Sequence, residues 1–520
     1  MTGGFAGCNG GGSGGDASPP DDGPTPTVTP TAALTPTEDT KSGEGKTPKE
    51  DKTPAATDTS EQPSTGAETP TEAATPTATS TATDTPSPTE TASPTATPTP
   101  TATPTPTATP KPTATPTPGL QAAKLAASDG DAEDFFGGAA ALSADGTTAV
   151  VGAEADEDPN GPDGGSAYVF ARSGGKWSQE AKLVASDGDA EDDFGVSVSV
   201  SADGTTVVVG ADSGEGPNGE DSGSAYVFTR SSTGWTQRAK LVADDGDDLD
   251  IFGVSVSVSD DGTTALVGAS LDEDPHGEFA GSAYVFARSG GEWTQQTKLV
   301  ADDGDPEDNF GNSVAVSADG SSAVVGAPLD EDPNGSQAGS VYAFVRSGEE
   351  WTQQAKFAAD DGDSDDFFGY SVSVSRDGAT ALVGAETDED PNGDSSGSAY
   401  VFSRSNGSWT QQAKLVADDG EPNDHFGASV ALSADGSTAV AGAYFDGTAN
   451  GDYSGSAYVF TDSGGDWDQQ VKLTPADGDR NDRFGHAVAT ASDGSRILVS
   501  ARLEQKPNGK YAGSAYVFNR

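Results

Sequence analysis

Residues 310–327 read FGNSVAVSADGSSAVVGA, and a closely similar stretch recurs every 58 residues along the chain. The Phe-Gly dipeptide that opens it begins at Phe136, Phe194, Phe252, Phe310, Phe368, Phe426 and Phe484. A lysine keeps the same spacing, at Lys124, Lys182, Lys240, Lys298, Lys356, Lys414 and Lys472. Seven copies without drift indicate one structural unit used seven times, and a period of this length is typical of propeller blades or solenoid turns.

The fourth copy predicts four short strands joined by tight turns, at residues 312–317, 322–327, 339–344 and 351–357. The Asp-Gly pair between the first two strands supplies the positive φ that a hairpin turn needs. In the second copy valine and serine alternate over residues 196–200, which is the two-residue period of a β-strand. A four-stranded meander repeated seven times predicts an all-β fold, a seven-bladed β-propeller of four-stranded blades.

The two ends of the repeat region predict how the ring closes. Six copies carry a tryptophan in the fourth strand, at Trp177, Trp235, Trp293, Trp351, Trp409 and Trp467. The last copy stops at Arg520 before its fourth strand, and residues 121–125 match that missing strand. We expect this N-terminal strand to complete the seventh blade, because a closed ring leaves no exposed strand edges.

Composition divides the chain into three segments. Residues 119–520 hold the repeats and are predicted to form the propeller. Residues 19–118 are rich in threonine and proline and are predicted to be a disordered stalk, because proline lacks a backbone N–H and apolar side chains are few. This composition is typical of mucin-like stalks that carry O-glycans, with a passive linker as the alternative. Residues 1–18 form a lipobox-like N-terminus and a Gly-rich tail.

The stretch Phe5-Ala-Gly-Cys8 resembles a lipobox, in which Cys8 would carry the lipid. The resemblance implies an extracellular protein held at the cell surface by an N-terminal lipid, which would be its one link to a membrane. Only seven residues precede Cys8 and none is basic, whereas a signal peptide has a charged and an apolar region. Translation therefore starts further upstream, or Cys8 is a stray thiol. Cys8 is the single cysteine, so no intrachain disulfide can form.

Acidic residues dominate the charge of the chain, with 84 Asp and Glu against 27 Lys and Arg and a net charge of −57. Such a surface repels nucleic acid and anionic membranes and favours cations and basic proteins as partners. It also resembles proteins of extreme halophiles, in which salt screens the repulsion. The loops before Phe-Gly hold 31 acidic residues and those after the second strand hold 24. Because strand direction alternates, we expect both sets of loops at one end of the propeller.

Phe-Gly followed about 15 residues later by Val-Gly-Ala, as in residues 325–327, resembles the FG-GAP repeat. That repeat builds the seven-bladed propeller of integrin α chains and of many bacterial and archaeal surface proteins. The resemblance covers residues 119–520 and implies a monomeric extracellular module for adhesion or binding of a protein or glycan ligand. The calcium loop of the family lies between the first two strands, where this chain has only the short turn 317–320. The ligands of that loop therefore cannot be transferred.

A different loop predicts weak calcium binding. Residues 156–161, 330–335 and 388–393 place oxygen ligands at positions 1, 3 and 5 and glycine at position 6, like the opening of an EF-hand loop. The candidate ligands are Asp156, Asp158, Asn160, Asp330, Asp332, Asn334, Asp388, Asp390 and Asn392. No glutamate stands at position 12, so a solvated Asn-Gly turn is the alternative. We expect no other cofactor.

The sequence offers little support for catalysis. His276, His425 and His486 occupy different positions of the repeat, and no common hydrolase or nucleotide-binding motif occurs. We therefore expect a protein that is not an enzyme. The first hypothesis is a surface-anchored binding module that uses its acidic loops, and the second is a structural repeat protein of the cell envelope without a discrete ligand. The third, a hydrolase or lyase, would be favoured by a concave cluster of dissimilar polar residues in the loops.

Overall fold

The computed structural model describes residues 120–520 except 158, 215–217, 274, 332 and 390. The strands of this part are β1 (Leu120–Leu125), β2 (Ala140–Leu142), β3 (Thr148–Ala153), β4 (Ser166–Ser173), β5 (Lys176–Leu183), β6 (Val198–Val200), β7 (Thr206–Ala211), β8 (Ser224–Ser231), β9 (Gly234–Leu241), β10 (Ser255–Val258), β11 (Thr264–Ala269), β12 (Ser282–Ser289), β13 (Glu292–Leu299) and β14 (Ser313–Val316). They continue with β15 (Ser322–Ala327), β16 (Ser340–Ser347), β17 (Glu350–Phe357), β18 (Phe368–Val374), β19 (Thr380–Ala385), β20 (Ser398–Ser405), β21 (Ser408–Leu415), β22 (Phe426–Leu432), β23 (Thr438–Ala443), β24 (Ser456–Asp462), β25 (Trp467–Leu473), β26 (Phe484–Thr490), β27 (Arg496–Ala501) and β28 (Ser514–Asn519). Among these residues no helix is long and apolar enough to cross a bilayer.

The strands form seven antiparallel four-stranded sheets, which are the blades of a propeller. Blades 1 to 6 each use four consecutive strands, from β2–β5 through β22–β25. The first strand of every blade contacts the first strands of both neighbours, and β2 contacts β26, so these strands surround the centre of a closed ring. The predicted all-β, seven-bladed propeller of four-stranded blades is confirmed.

Blade 7 contains strands from both ends of the repeat region. Its order is β26-β27-β28-β1, and β1 pairs with β28 from Leu120↔Asn519 to Leu125↔Ala515. This pairing is the predicted closure, and it is confirmed. The N-terminal strand thus covers an edge of β28 that would otherwise expose unpaired backbone groups.

A ring of backbone hydrogen bonds closes the end of the propeller that carries the turns between first and second strands. Each bond runs from the amide of one turn to the carbonyl of the same turn in the next blade. The bonds are Ala144 to Ala202, Ala202 to Asp260, Asp260 to Ala318, Ala318 to Arg376, Arg376 to Ala434, Ala434 to Ser492 and Ser492 to Ala144, at 2.9–3.1 Å. Since the last bond joins blade 7 to blade 1, the ring has no gap at this end.

The glycines of the repeat motif lie where adjacent blades come closest. A Cβ built on Gly326 would stand 2.0 Å from the carbonyl oxygen of Gly369 in the next blade. Gly369 itself has a φ of +95°, which side chains rarely adopt. The same approach recurs at five other interfaces, between Gly152 and Gly195, Gly210 and Gly253, Gly268 and Gly311, Gly384 and Gly427, and Gly442 and Gly485. Phe-Gly and Val-Gly-Ala are therefore two halves of one contact between blades.

The hydrophobic core consists of layers between blades. Phe310 packs against Tyr342 and Phe344 of its own blade, at ring distances of 5.4 and 5.9 Å. The same cluster contains Leu266 and Val285 of the preceding blade. Every blade therefore buries both faces of its sheet.

Burial of both faces explains why the first strand alternates valine with serine. Val198 and Val200 are buried in an apolar layer on one side, and Ser199 is buried on the other. The Val258 amide in the next blade donates a hydrogen bond to Ser199 Oγ at 3.0 Å. Equivalent bonds run from Val314 to Ser255, Val316 to Ser257, Val372 to Ser313, Leu432 to Ser373 and Val488 to Ser429. The serines thus satisfy amides on the inner edge of the next sheet, where no strand can pair.

Closure of the ring can be tested by deletion. Removing residues 120–125 should lower the melting temperature, because it exposes the edge of β28 and the part of the apolar layer between blades 7 and 1 that Ala123 and Leu125 cover. A chain that lacks residues 60–65 is the length-matched control and should melt like the parent. Differential scanning calorimetry gives both values, and equal melting temperatures for the two deletions would contradict closure by β1.

Candidate functional site: the loop face

Two sets of loops meet at one end of the propeller. The turns between first and second strands, with their ring of backbone hydrogen bonds, lie at the other end. The loop before each Phe-Gly hydrogen-bonds to the loop between the second and third strands of the preceding blade. In blade 1, for example, the Glu133 and Phe135 amides donate to the Lys510 and Tyr511 carbonyls at 2.8 and 3.1 Å. We call this end the loop face, formed by residues 126–139 and 154–165 and their equivalents. The prediction that both acidic sets of loops share one end is confirmed.

Three of the candidate calcium ligands are buried and engaged by a lysine and a tyrosine. Lys356 Nζ lies 2.8 Å from Asp330 Oδ2, and the Tyr342 hydroxyl donates to the same oxygen at 2.6 Å. The lysine also reaches Asp303 of the neighbouring loop at 3.0 Å. The same arrangement surrounds Asp156 with Tyr168 and Lys182, and Asp388 with Tyr400 and Lys414. Each lysine therefore links the fourth strand of its own blade to the loop through which the chain arrives from the blade before it.

Blades without the predicted calcium pattern keep this contact. Asp272, Asp446 and Glu504 bind the equivalent tyrosine and lysine in blades 3, 6 and 7. Blade 2 has Gly214 at this position, and its Lys240 pairs with Asp187 at 3.0 Å. The aspartate thus belongs to the framework of the repeat.

The candidate asparagines also have framework contacts. The side-chain amide of Asn334 donates to the Ala359 carbonyl at 2.9 Å. Asn160 and Asn392 make the same bond to Ala185 and Ala417. The remaining candidates, Asp158, Asp332 and Asp390, lie outside the described residues, as does Cys8. In the part of the chain that the structure describes, no three His, Cys, Asp or Glu side chains are grouped as metal ligands.

A second buried aspartate stands two residues before each Phe-Gly, and the sequence analysis did not single it out. Asp308 Oδ2 accepts a hydrogen bond from the Asp305 amide at 2.8 Å. Burial, together with the carboxylates of Asp330 and Glu331, raises the pKa of Asp308 to about 7. Burial likewise raises the pKa of Asp250 and Asp366 to about 7 and that of Asp134 and Asp424 to about 6. The recurrence of Asp at this position was the available signal.

Five of the positions at which the seven copies differ are of interest on the loop face. These are the residue before Phe-Gly, the residue after it, the two residues after Gly-Ala, and a positive-φ residue near the start of the third strand. In blade 6 they are His425, Ala428, Tyr444, Phe445 and Tyr453, and in blade 4 they are Asn309, Asn312, Pro328, Leu329 and Gln337. Contacts join such residues across blades, as when Asn312 Nδ2 donates to the Tyr370 carbonyl at 3.1 Å. The variable positions therefore converge around the centre of the loop face.

The variable residues of blades 6, 7 and 1 form a group of aromatic and cationic side chains. The Phe445 ring lies 4.4 Å from Tyr444, 5.0 Å from His425 and 5.4 Å from Tyr453. The Arg483 guanidinium stands 4.6 Å from the centre of the Phe445 ring. We call the group the aromatic sector, and its members are Phe135, His425, Tyr444, Phe445, Tyr453, Arg483, His486, Arg502 and Tyr511.

Two histidines that are unrelated in the repeat meet in this sector. His425 and His486 lie 5.6 and 5.7 Å from the same Tyr444 ring. Burial, with the charges of Arg502 and Arg483, holds the pKa of His486 well below its usual value. The sequence analysis set these histidines apart because they occupy different positions, and only the ring of blades brings them together.

A cavity of about 510 Å³ opens beside the aromatic sector at the loops of blade 6. Its lining is mixed, with Glu421, Pro422, Asn423, Asp424, His425, Phe445, Gly447, Asp452 and Tyr453. A second cavity of about 710 Å³ lies at the opposite end, where the alanine and aspartate of the repeated turns form most of the lining. The cavity on the loop face is thus lined in part by residues, such as His425 and Phe445, that occur in blade 6 and not at the equivalent positions of the other blades.

Next to the sector, blades 1 and 2 carry carboxylates with raised pKa values. Burial, with the Glu154 and Asp163 carboxylates, raises the pKa of Asp193 to about 6. Burial and the nearby Asp193 raise the pKa of Asp212 to about 7. Ser213 Oγ donates to Asp193 at 2.9 Å, and Arg502 pairs with Glu154. This polar cluster extends the variable region toward blade 2.

The buried aspartates predict a stability that falls as pH rises. Because the folded pKa of Asp308 lies above its unfolded value of 3.8, folding favours the protonated form, and stability is lost between about pH 4 and pH 7. Asp308→Asn should therefore raise the melting temperature at about pH 8 and change it little at about pH 3.5, where Asp308 is protonated in both states. Asp305→Asn, at an exposed position of the same loop, makes the same charge change and should have a small effect at both pH values. Equal gains for the two variants at pH 8 would show that only overall charge is being relieved.

Comparison with known proteins agrees with the geometry of the blades. A model of the FG-GAP repeat matches residues 120–170, 177–228, 235–286, 293–344, 351–402, 409–460 and 467–518. No curated protein shows significant similarity to the chain. Repeats of this kind are typical of extracellular domains and often serve in adhesion or ligand binding. With seven matches in phase and seven blades in the fold, the chain belongs to the FG-GAP repeat family, with an integrin-like propeller.

Proposed function

We propose that the protein is a cell-surface-anchored propeller that acts as an adhesion or ligand-binding module through its loop face. One observation carries the proposal: five positions at which the seven copies differ converge on the loop face, and in blades 6, 7 and 1 they form the aromatic sector. Repeat proteins place binding residues on loops that a rigid scaffold positions, so such a concentration of differences is what a ligand site would produce.

Residues that recur in every copy, in contrast, make contacts that hold the blades together. Gln353 Oε1 accepts a hydrogen bond at 2.9 Å from the Asp302 amide, at the point where the chain leaves blade 3 for blade 4. The same bond occurs at all seven interfaces, with Gln179, Gln237, Gln295, Gln411, Gln469 and Gln121 as the other acceptors. Contacts of this kind explain why the same residue recurs in every copy. They do not explain why blade 6 has aromatic residues and blade 7 has arginines at the variable positions.

Anchoring rests on the sequence outside the described residues. The lipobox-like stretch ending at Cys8 supports a lipid anchor, and the composition of residues 19–118 supports a stalk that holds the propeller away from the membrane. The acidic surface supports cations and basic proteins as partners besides a protein or glycan ligand, and it disfavours nucleic acid. We propose that the propeller works as a monomer.

A hydrolase is the second candidate, and the mixed lining of the blade 6 cavity favours it. The raised pKa values of Asp193 and Asp212 add support, because a general acid must be protonated near neutral pH. We nevertheless infer binding, since two of the three acids of the cavity each have a partner in the chain and Asp193 and Asp212 do not line it. Asp424 accepts the Glu421 amide at 2.7 Å, and Asp452 pairs with Arg480 at 3.2 Å.

Calcium binding is a weaker proposal, and its loops are 156–161, 330–335 and 388–393. Calcium would have to displace the Lys356 ammonium, 2.8 Å from Asp330, so we expect low affinity. Asp330→Ala with Asp332→Ala should remove about one equivalent of bound calcium in a calorimetric titration. Asp319→Ala with Asp377→Ala, in turns at the opposite end, is the control and should leave uptake unchanged. If the loop variant and the parent take up equal calcium, the loop is only a turn.

The binding role of the loop face can be tested on cells that display the protein. Phe279→Ser with Tyr453→Ser removes two exposed rings of the loop face, and attachment to neighbouring cells or to a coated surface should fall several-fold. Because both rings are exposed, the fold should not change.

The control is Arg288→Ser with Arg346→Ser at the opposite end, which should attach like the parent. Surface display is measured in parallel, and Cys8→Ser should move the protein into the medium. If both double variants attach normally, the alternative of a structural cell-envelope repeat protein without a discrete ligand is favoured.

A further inference from the structure

Five basic residues that do not recur at the equivalent positions of the other copies lie on the loops of blade 7. They are Arg480, Arg483, Arg502, Lys506 and Lys510. Four of them have carboxylate partners: Arg480 pairs with Asp452, Arg502 with Glu154, Lys506 with Asp479 and Lys510 with Glu133. Among the described residues, no carboxylate lies within ion-pair distance of the fifth, Arg483. Arg483 thus differs from Arg480 and Arg502, the other arginines of the described part of the loop face, which both have an acidic partner.

The surroundings of Arg483 are aromatic. Its guanidinium lies 4.6 Å from the centre of the Phe445 ring and 5.9 Å from that of Tyr444. The side chain is half-buried, and burial with the nearby charge of Arg502 lowers its pKa. A guanidinium that loses water without gaining an acid keeps unused N–H donors in a planar fork. An anion from outside the chain would complete its coordination, in a bidentate manner if the anion is a carboxylate.

The cavity beside Phe445 indicates the kind of molecule to which the anionic group belongs. Its volume of about 510 Å³ falls within the range of about 300–1,000 Å³ that small-molecule sites occupy. Phe445 and the exposed Tyr453 offer ring faces for an apolar surface, and Asn423, His425 and Asp452 offer groups that hydrogen-bond hydroxyls. A sugar ring presents both an apolar face and hydroxyl groups at this scale.

The acids around the cavity distinguish a sugar from an acidic peptide. Glu421, Asp424 and Asp452 lie in the lining, and they would repel a peptide that brings several carboxylates close together. The same oxygens can accept hydrogen bonds from sugar hydroxyls. A ligand with one carboxylate and several hydroxyls per ring therefore fits the charges better than a run of aspartates or glutamates.

We propose that Arg483, Phe445 and Tyr453 form a binding site for an acidic sugar, such as a uronic acid unit of a polysaccharide. The sugar carboxylate binds the Arg483 guanidinium, and the sugar ring packs on the aromatic side chains over the cavity. This inference rests on the proposed function and names the ligand class for the same face of the propeller.

The test is a calorimetric titration of the full chain with trigalacturonic acid, at a salt concentration that screens diffuse charge. Binding should be saturable, and the neutral trisaccharide of galactose should bind at least about tenfold more weakly, as expected for the loss of a bidentate charged contact. Equal affinity for the acidic and neutral sugars would overturn the role of Arg483. An acidic peptide that binds more tightly than the sugar would overturn the ligand class.

Two variants with the same change of charge locate the site. Arg483→Gln should weaken binding of the acidic sugar at least about tenfold, whereas Arg480→Gln, three residues earlier and already paired, should change it less than about twofold. Equal losses in the two variants would mean diffuse attraction and would overturn the proposal. If Arg483→Gln does not fold, Arg483→Lys and Arg480→Lys provide the same comparison, since lysine keeps the charge but not the fork.

The cell-attachment experiment separates this inference from the proposed function. If attachment depends on the loop face but trigalacturonic acid does not bind, the acidic-sugar site is wrong and the adhesion role stands. If neither holds, both are wrong.

Discussion

The close approach of backbone between neighbouring blades is the constraint on which the rest of the structure depends. Where Gly326 faces the Gly369 carbonyl, even a Cβ atom would lie 2.0 Å from that oxygen. This spacing lets valines interlock in a thin apolar layer and lets a serine hydroxyl reach the next inner strand, as Ser257 reaches Val316 at 3.1 Å. Blade 7 departs from the rule with Ser500, whose side chain accepts a hydrogen bond from the Ala487 amide at 2.9 Å.

The same constraint divides the residues of the loop face into two kinds. In blade 4 Asp330 and Tyr342 orient Lys356, which binds Asp303 in the loop that leads from blade 3, and such groups recur because every interface needs this contact. Around the centre of the loop face the contacts between blades differ from one interface to the next, and there the copies diverge into an acidic region near Asp193 and the aromatic sector near Phe445. The repeated framework thus supports a surface without sevenfold symmetry, which is what recognition of a single ligand requires.

The candidate calcium loops show how a framework can resemble a metal motif. Asp330 is present because Lys356 and Tyr342 need an acceptor, and Asn334 is present because its amide binds the Ala359 carbonyl. Together they reproduce alternate positions of an EF-hand opening. A pattern of oxygen ligands in sequence therefore does not distinguish a metal site from a clasp between blades, because the two use the same side chains.

The sequence by itself determined the number of blades, the four strands in each, the closing strand at 121–125 and the end that carries the acidic loops. These follow from the period and the alternation, which are local and repeated seven times. It could not determine what Asp156 binds, that Asp308 is buried with a pKa of about 7, or that His425, Arg483 and Tyr511 share one sector. Those facts join residues that are far apart in sequence and belong to different blades. Only closure of the ring brings them together, so the candidate site was decided by the tertiary structure.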